Sequence, residues 1–339
     1  MLLTAPVSRR RLTGFESSDG MLFLAQGKAV FLTDSRYIEA ARAAVAACAV
    51  AELRETGPQL RALCKEHRVK RLFIETQSAT LGEAARLRAL LPGVWIEARD
   101  SRADKRLREI RLYKTQEEAE CIRRAQGIAE RAFAYILGVI KPGMTEREIA
   151  LELDYAMLRG GARALSFETI AVTGENGSKP HGVPGERKLQ AGDLLTLDFG
   201  AVADGYHSDM TRTIAIGEPG EEQRKIYKIV LEAQLAALNA LAPGVACKEI
   251  DARARRLIEA AGYGEHFRHG TGHGVGLEIH EAPSLSRKSK DVLAPGMVVT
   301  VEPGIYLPGK CGVRIEDMAL ITENGYENLT KADKALIVV

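Results

Sequence analysis

The sequence predicts an α+β protein in which a small α/β domain precedes a larger, internally duplicated domain. Two observations lead to this prediction. Strand-like and helix-like segments alternate over about the first 100 residues, and a pattern of helix, turn, helix and strand then occurs twice. The length of 339 residues also favours two domains over one.

The predicted N-terminal domain begins with a hairpin and continues with helices and strands in alternation. The stretch MLFLAQGKAVFLT at 21–33 reads as two strands around a turn at Gln26–Lys28. Asp34 or Ser35 is expected to cap a helix that runs to about Cys48. Further helices are expected near 58–67 and 80–91, further strands at 69–75 and 94–98, and a charged domain boundary at 100–116.

The second domain contains the duplication. KPGMTEREI at 141–149 matches APGVACKEI at 242–250, a shift of 101 residues, and GDLLTLDFG at 192–200 matches GMVVTVEPG at 296–304, a shift of 104. In the first half a helix of about 116–139 precedes the Pro-Gly turn. A second helix follows from Thr145, with Glu148 as its capping-box partner, and ends at Gly160. Two related halves packed about a pseudo-twofold axis would bring equivalent strands face to face.

Composition and charge exclude several classes of protein. The chain is 46% hydrophobic and 27% charged, as in ordinary globular proteins, and no apolar run approaches the roughly 18 residues of a membrane span. The N-terminus lacks the apolar core of a secretory signal. The five cysteines are widely separated, without a CxxC pair, which argues against a disulfide framework and a thiolate zinc site. We therefore predict a cytoplasmic protein.

The two predicted domains differ in charge. Residues 1–112 contain 20 Lys and Arg against 13 Asp and Glu, whereas the remainder has an acidic balance. A basic domain could bind nucleic acid, but the basic residues are spread over several elements, and no RNP or helix-turn-helix signature accompanies them. We predict no nucleic-acid partner and no membrane partner. The acidic second domain is where carboxylates are concentrated.

Each copy of the repeated strand ends in a carboxylate, and a second acidic strand follows each copy. The first half supplies Asp198 and Asp209, and the second half supplies Glu302 and Glu316. Turn signals between the members of each pair predict hairpins, so the four carboxylates should converge. Buried carboxylates repel one another unless they take up protons or bind cations. Four exceed what a paired acid–base site needs, so charge balance favours two divalent metal ions with a bridging water as nucleophile.

Three histidines complete the predicted site. The segment HGTGHGVG at 269–276 is too rich in glycine for a helical zinc pair, and it lacks the Lys-Ser/Thr of a phosphate-binding loop. Its glycines allow a close backbone approach, which predicts that His273 reaches the metal ions. His181 and His280 stand before the matched strands, where each could donate a hydrogen bond to developing negative charge. His67, His207 and His266 are interpreted as incidental, although His207 is near Asp209 in sequence and could support that ligand.

These motifs resemble the Xaa-Pro peptidase branch of the pita-bread metallopeptidases, family M24, which includes prolidases and aminopeptidase P. The stretches DFGAVADGYHSDMTRT, HGTGHGVGLEIHE, VEPGIY and RIEDM stand in the family's order and spacing, and PHGVP also fits. TGF near residue 13 and TDSRYIEAA near residue 33 resemble the family's smaller N-terminal domain. The resemblance implies a creatinase/prolidase-type domain at 1–112 and a pita-bread catalytic domain at 113–339. The chain has no GxSxG and no GxGxxG opening a βαβ unit, so other enzyme classes fit less well.

The resemblance also implies roles for individual residues. The five ligands of a dinuclear metal centre correspond to Asp198, Asp209, His273, Glu302 and Glu316. Asp209 and Glu316 should bridge the ions, and Glu302 should also assist proton transfer from the attacking water. The ions are expected to be Mn²⁺ or Co²⁺, with Zn²⁺ and Fe²⁺ as alternatives.

Other residues are assigned to the substrate side of the site by the same resemblance. His181 and His280 match residues that stabilise the tetrahedral intermediate and hold the substrate near the scissile bond. Arg314 resembles an arginine that supports the ligands, and Phe167 and Tyr206 are candidates for the walls of the site. A homodimer is expected from the family and from the basic first domain and acidic second domain.

The implied reaction is hydrolysis of the Xaa-Pro bond at the N-terminus of short proline-containing peptides. This bond has no N–H, and the proline ring restricts the backbone, so general peptidases handle it poorly. Whether the enzyme is an Xaa-Pro dipeptidase or an Xaa-Pro aminopeptidase stays open. A methionine aminopeptidase shares the metal ligands but fits the extra N-terminal domain less well. A non-catalytic binding module on the same fold is the alternative of another class, and the intact ligand set argues against it.

Overall fold

The computed structural model describes residues 1–339, and the chain divides into two units, Met1–Arg111 and Leu112–Val339. Helices and sheets are mixed in both units, which confirms the predicted α+β class. The elements of the first unit, in chain order, are β1 (Leu2–Leu3), α1 (Pro6–Thr13), β2 (Met21–Ala25), β3 (Lys28–Thr33), α2 (Ile38–Ala44), β4 (Ala49–Glu52), α3 (Thr56–Glu66), β5 (Arg71–Phe73), α4 (Leu81–Leu90), β6 (Trp95–Glu97) and α5 (Arg102–Leu112).

The first unit is built on a four-stranded sheet of order β1-β2-β3-β4, with β5 and β6 forming a separate parallel pair. The predicted hairpin is confirmed, because β2 and β3 pair antiparallel around Gln26 and Gly27, whose φ angles are 52° and 75°. The prediction of a helix capped by Asp34 or Ser35 is wrong. Helix α2 begins at Ile38 without a side-chain cap, since the Asp34 carboxylate accepts a hydrogen bond from the backbone N–H of Arg36 instead.

The second unit contains two helix pairs and four sheets. Its elements are α6 (Gln116–Leu137), α7 (Glu146–Arg159), β7 (Ala164–Leu165), β8 (Ile170–Thr173), β9 (Leu194–Phe199), β10 (Ala201–Ala203), β11 (Tyr206–His207), β12 (Met210–Ala215), α8 (Glu221–Leu238), α9 (Cys247–Ala260), β13 (Gly272–Gly274), β14 (Glu281–Leu285), β15 (Val298–Val301), β16 (Gly304–Leu307), β17 (Cys311–Arg314), β18 (Asp317–Thr322) and β19 (Gly325–Asn328). The capping box predicted at Thr145 and Glu148 is present at the start of α7.

The duplication is visible in this unit as repeated architecture. Helices α6 and α7 pack together in the first half, as α8 and α9 do in the second. The repeated strand is β9 in one half and β15 in the other, and each pairs antiparallel with a later strand of its own half, β12 or β18. Each half also has its own apolar core, formed where its helix pair packs on its sheet.

The two halves are joined along a line that we call the seam. Three hydrogen bonds define it. The backbone N–H of Glu316 donates to Thr211 O over 3.1 Å, the Thr213 hydroxyl donates to Arg314 O over 2.9 Å, and the backbone N–H of Arg314 donates to Thr213 Oγ1 over 3.2 Å. The acidic strand ends of both halves lie beside this seam.

Candidate metal centre

The four predicted carboxylates lie at the ends of the paired strands. In the first half, Asp198 of β9 is opposite Thr211 of β12, and Asp209 immediately precedes β12. In the second half, Val301 of β15 is opposite Asp317 of β18. Glu302 directly follows Val301, and Glu316 directly precedes Asp317. Asp209 and Glu316 are buried, whereas Asp198 and Glu302 are partly open to a cavity.

His273 on β13 is close to carboxylates from both halves. Its Nε2 lies 3.3 Å from Glu302 Oε1 and 3.5 Å from Asp209 Oδ2. Its Nδ1 lies 3.0 Å from Gly274 O, and a proton on Nδ1 would leave the Nε2 lone pair facing the acidic groups. The Nε2 atom is therefore available as a ligand.

Glycines next to His273 let the backbones approach each other closely. A Cβ atom on Gly272 would lie 2.0 Å from Thr300 O, and one on Gly274 would lie 2.2 Å from Ala282 O. No side chain fits at either position without moving a backbone. The predicted close approach in this glycine-rich segment is confirmed.

The donor set fits a divalent cation. Ligand atoms of Asp209, His273 and Glu316 all lie within 4.8 Å of one another. Asp198 Oδ1 and Glu316 Oε1 are buried carboxylate oxygens without a hydrogen-bond partner, which is costly unless another group satisfies them. Oxygen-rich donor sets with one imidazole suit Mn²⁺, Co²⁺, Fe²⁺ or Zn²⁺.

Burial and mutual repulsion change the protonation of these carboxylates in the metal-free protein. Burial, reinforced by the charge of Asp198, raises the pKa of Asp209 well above its usual value. Burial and the charge of Asp209 likewise raise the pKa of Glu316. Burial raises the pKa of Glu302 to about 8 although Arg314 opposes the shift. Without cations, the centre therefore holds protons at neutral pH.

Arg314 orients the carboxylates through hydrogen bonds, directly and through Thr211. Its Nη2 donates to Asp198 Oδ2 over 2.5 Å, its Nε donates to Thr211 Oγ1 over 3.1 Å, and its Nη1 donates to the Tyr306 hydroxyl over 2.7 Å. The Thr211 hydroxyl in turn donates to Glu316 Oε2 over 2.7 Å. One buried guanidinium thus orients a carboxylate of the first half and, through Thr211, a carboxylate of the second half.

The centre opens onto a cavity of about 590 Å³, which Phe167, His181 and His280 also line. The His280 ring lies 4.3 Å from the His273 ring, centroid to centroid, and burial lowers the pKa of His280. The residue before His181, Pro180, accepts a hydrogen bond from Arg314 Nη1 through its carbonyl oxygen. Two imidazoles and an aromatic wall therefore face the carboxylates across the same space.

Tyr206 and His207 do not join the centre. Tyr206 is absent from the residues that line the cavity, because its hydroxyl donates to Glu118 Oε1 over 2.5 Å. The backbone N–H of His207 donates to Gly276 O, and burial lowers the pKa of the His207 imidazole. Neither residue lines the cavity, so the structure does not place Tyr206 in its wall as the sequence predicted.

The structure adds two residues to the site that sequence reasoning did not single out. His269 and Tyr306 line the cavity, and His269 Nε2 lies 3.0 Å from the Tyr306 hydroxyl. Burial lowers the pKa of His269 to about 4 and raises that of Tyr306 to about 12, so both are neutral at pH 7. The Tyr306 hydroxyl accepts from Arg314 Nη1 and lies within hydrogen-bond distance of His269 Nε2. Tyr306 is the last residue of the motif VEPGIY, and its place in that motif is the sequence feature that could have identified it.

Comparison with known protein families gives two matches. The family described as Metallopeptidase family M24 matches residues 120–323, and the Creatinase/Prolidase N-terminal domain matches residues 1–113. No helix reaches the length and apolar character needed to cross a membrane.

The chain is also similar to individual proteins. An uncharacterised peptidase of Bacillus subtilis is 42% identical over 340 residues, which covers 100% of this chain and 95% of that protein. A Xaa-Pro dipeptidase of Pyrococcus furiosus is 48% identical over 231 residues, 68% of this chain and 66% of that protein.

Two solved structures extend the similarity to the fold. A Xaa-Pro dipeptidase from Bacillus anthracis superimposes with a TM-score of 0.95 and 40% identity, covering 100% of this chain and 94% of the other. An X-Pro aminopeptidase from Thermotoga maritima superimposes with a TM-score of 0.92 and 34% identity, covering 100% and 97%.

Proposed function

Because the chain belongs to metallopeptidase family M24 and carries a Creatinase/Prolidase N-terminal domain, we propose that it hydrolyses the Xaa-Pro bond at the N-terminus of short peptides. Its similarity both to Xaa-Pro dipeptidases and to an X-Pro aminopeptidase supports the bond type and leaves the peptide length as the variable to measure. The catalytic part would be residues 113–339, and the N-terminal domain residues 1–112.

The observation that carries the proposal is the convergence of acidic groups from both halves on one imidazole. Asp209, His273 and Glu316 offer ligand atoms within 4.8 Å of one another, and Asp198 and Glu316 each present an unsatisfied buried oxygen. These residues and Glu302 would hold two divalent ions, Mn²⁺ or Co²⁺, with Asp209 and Glu316 as bridges. When bound, the ions would polarise the scissile carbonyl and lower the pKa of a water molecule.

The chain's own residues supply the remaining chemistry. Glu302, ionised when cations are bound, would take a proton from the attacking water and pass it towards the leaving proline nitrogen. His181 and His280 would donate hydrogen bonds to the oxygen on which negative charge develops. Phe167 would exclude water on one side of the substrate. None of these roles requires a hydrogen bond from the N–H of the scissile bond, and an Xaa-Pro bond has no such N–H.

Two further features belong to the proposal. The five cysteines form no disulfide, which supports action in a reducing compartment such as the cytoplasm. The opposite charge balance of residues 1–112 and 113–339 supports association of the chain with a second copy as a homodimer.

Peptide hydrolysis after metal exchange tests the function. The protein would be stripped with chelator, reloaded with Mn²⁺ or Co²⁺, and given Ala-Pro, Ala-Pro-Ala-Ala and Met-Ala-Ala. We expect metal-dependent cleavage before proline, and the ratio of the first two rates separates dipeptidase from aminopeptidase. Cleavage of Met-Ala-Ala alone would favour a methionine aminopeptidase. No cleavage with any ion would favour a binding role.

A further inference from the structure

A buried ion pair lies beside the candidate centre, outside the proposed ligand set. Lys114 Nζ is 3.2 Å from Glu281 Oε2, and the two side chains are only 3% and 4% exposed. Burying two charges costs several kcal/mol of desolvation for each ion. Charge attraction alone therefore does not explain why the pair is buried here, which points to a role in the site.

Glu281 directly follows His280 and organises the turn that carries it. While Glu281 Oε2 faces Lys114, Glu281 Oε1 accepts a hydrogen bond of 3.0 Å from the backbone N–H of Glu278. This hydrogen bond closes the turn 278–281. The orientation of the Glu281 carboxylate is therefore linked to the backbone on both sides of His280.

The pairing of β13 with β14 does not by itself fix the position of His280, so the Glu281 hydrogen bond is needed to hold it. On β13 and β14, His273 is opposite Ser284 and the next residue, Gly274, is opposite Glu281. Two extra residues of β14 are thus accommodated in a bulge, and bulges alter the direction of neighbouring side chains. The ladder alone does not hold the segment that brings the His280 ring to 4.3 Å from the His273 ring.

The backbone of Lys114 is also hydrogen-bonded to the turn that precedes β15. Its backbone N–H donates to Gly296 O over 2.8 Å. Gly296 has a φ of 88°, and a Cβ atom there would lie 3.3 Å from Lys114 O, so the two backbones are in close contact. Gly296 opens the turn into β15, the strand that leads to Glu302. Lys114 thus contacts two segments of the second half: its backbone binds Gly296 before β15, and its side chain binds Glu281, which follows His280.

We propose that Lys114 is a positioning residue for catalysis, acting through Glu281 to hold His280 over the cavity. The inference rests on the proposed function. A buried ion pair is often no more stabilising than an apolar pair of similar shape, so we attribute this pair to the selection of one arrangement over its alternatives. Here the favoured arrangement is the one in which His280 and the ligand His273 face the same space.

Kinetics of Lys114→Met test the proposal. This variant keeps much of the side-chain length and removes the charge. We expect kcat to fall by about tenfold to 100-fold on Ala-Pro-Ala-Ala, with the bound metal unchanged, because a displaced His280 loses contact with the transition state. Lys114→Arg should recover most of kcat, since it restores the cation. Full activity in Lys114→Met would overturn the proposal.

A double-mutant cycle separates positioning from general damage. In a His280→Ala background, Lys114→Met should change kcat by less than about twofold, because the residue it acts through is already gone. Equal losses in both backgrounds would show that Lys114 acts by another route and would overturn the proposal. Arg123→Met, which breaks the ion pair between Arg123 on helix α6 and Glu327 on β19, is the matched control and should retain kcat.

A crystal structure of Lys114→Met gives a readout that does not depend on activity. The distance between the His280 and His273 rings should increase, whereas an unmoved His280 would overturn the proposal. If Lys114→Met does not fold, Lys114→Met/Glu281→Gln removes both charges and serves in its place, with the same two outcomes. A wild-type protein that cleaves no Xaa-Pro peptide would overturn the proposed function, while the ring distance would still decide the positioning.

Discussion

Arg314 Nη2 donates to Asp198 Oδ2 over 2.5 Å, and this hydrogen bond joins the two halves of the duplicated unit at the candidate centre. The same guanidinium donates to Thr211 and Tyr306. Although burial alone lowers the pKa of Arg314, the neighbouring Tyr306, Asp198 and Glu302 raise it well above its usual value. Arg314 is therefore a permanent cation among carboxylates.

Arg314→Lys should lower kcat/KM by at least about tenfold, because a lysine cannot donate to three partners in the geometry of the guanidinium. Asp198 would then lose its fixed orientation, which is the property expected of a group that supports metal ligands. Steady-state kinetics with Mn²⁺-loaded protein measure the change. The control is Arg123→Lys, whose parent arginine pairs with Glu327 away from the cavity. Unchanged kinetics of Arg314→Lys would contradict the prediction.

Asp209→Ala should abolish metal binding and activity while the fold is retained. The change removes a buried carboxylate whose raised pKa shows that it is destabilised as an anion without cations. Metal content by mass spectrometry and circular dichroism measure the two properties separately. Asp204→Asn is the matched control, because it removes an exposed carboxylate from the same connection between β9 and β12, at a φ of 48° that asparagine tolerates. Normal metal content in Asp209→Ala would refute its assignment as a ligand.

The metal-free protein should lose stability as the pH rises from about 4.5 to about 8. Glu302 has a folded pKa of about 8 against an ordinary value of 4.5, so over this range the folded state holds a proton that the unfolded state has released. The free energy of unfolding then falls with pH, by up to about 1.4 kcal/mol per pH unit for one proton. Urea unfolding at several pH values, in chelator, measures the slope.

Two comparisons check that interpretation of the pH dependence. Glu302→Gln should reduce the slope, because the glutamine side chain does not titrate, and the part of the slope that Asp209 and Glu316 contribute should remain. Saturating Mn²⁺ should also remove the fall, since bound cations favour the ionised carboxylates and stabilise the folded state. A slope that is the same in all three samples would mean that other groups govern the pH dependence.

Gly272→Ala should displace the His273 strand. The new Cβ atom would lie 2.0 Å from Thr300 O, and a backbone atom cannot move away as a flexible side chain can. We expect a loss of about 1–3 kcal/mol in the free energy of unfolding and weaker Mn²⁺ binding. Gly127→Ala is the control, because its Cβ atom would meet only the end of the Arg131 side chain at 3.4 Å within helix α6. That control should be neutral or slightly stabilising.

Light scattering should show a homodimer at micromolar concentration. Association of the basic residues 1–112 of one copy with the acidic residues 113–339 of another would weaken as salt rises, because exposed charges are screened. The measurement is therefore the molar mass at low and high ionic strength. A monomer under both conditions would remove the proposed dimer.

The sequence predicted the acidic strand ends because duplication and turn signals are local patterns. Asp198 and Glu302 occupy equivalent places in matched nonapeptides, and the glycines around His273 indicate a close approach without reference to any other segment. These features need only the period of a strand and the properties of glycine. The same reasoning found the capping box at Thr145.

Contacts between distant segments could not be predicted in this way. Lys114 and Glu281 are 167 residues apart, and neither stands in a motif that marks the other as a partner. The contact of Tyr306 with His269 joins residues 37 positions apart, and no local pattern encodes it. The predicted helix cap at Asp34 was wrong, because an Asp side chain can accept a hydrogen bond from a nearby turn instead of from a helix terminus.

The seam between Thr211, Thr213, Arg314 and Glu316 has a consequence for the history of the chain. A half-length ancestor would have had to associate with itself to form the same junction, and two identical copies would have presented the same two carboxylates twice. Within one chain the two copies can differ, and here one half supplies aspartates while the other supplies glutamates and His273. The two sides of the centre therefore differ in side-chain length and in the presence of an imidazole, a difference that two identical halves could not offer.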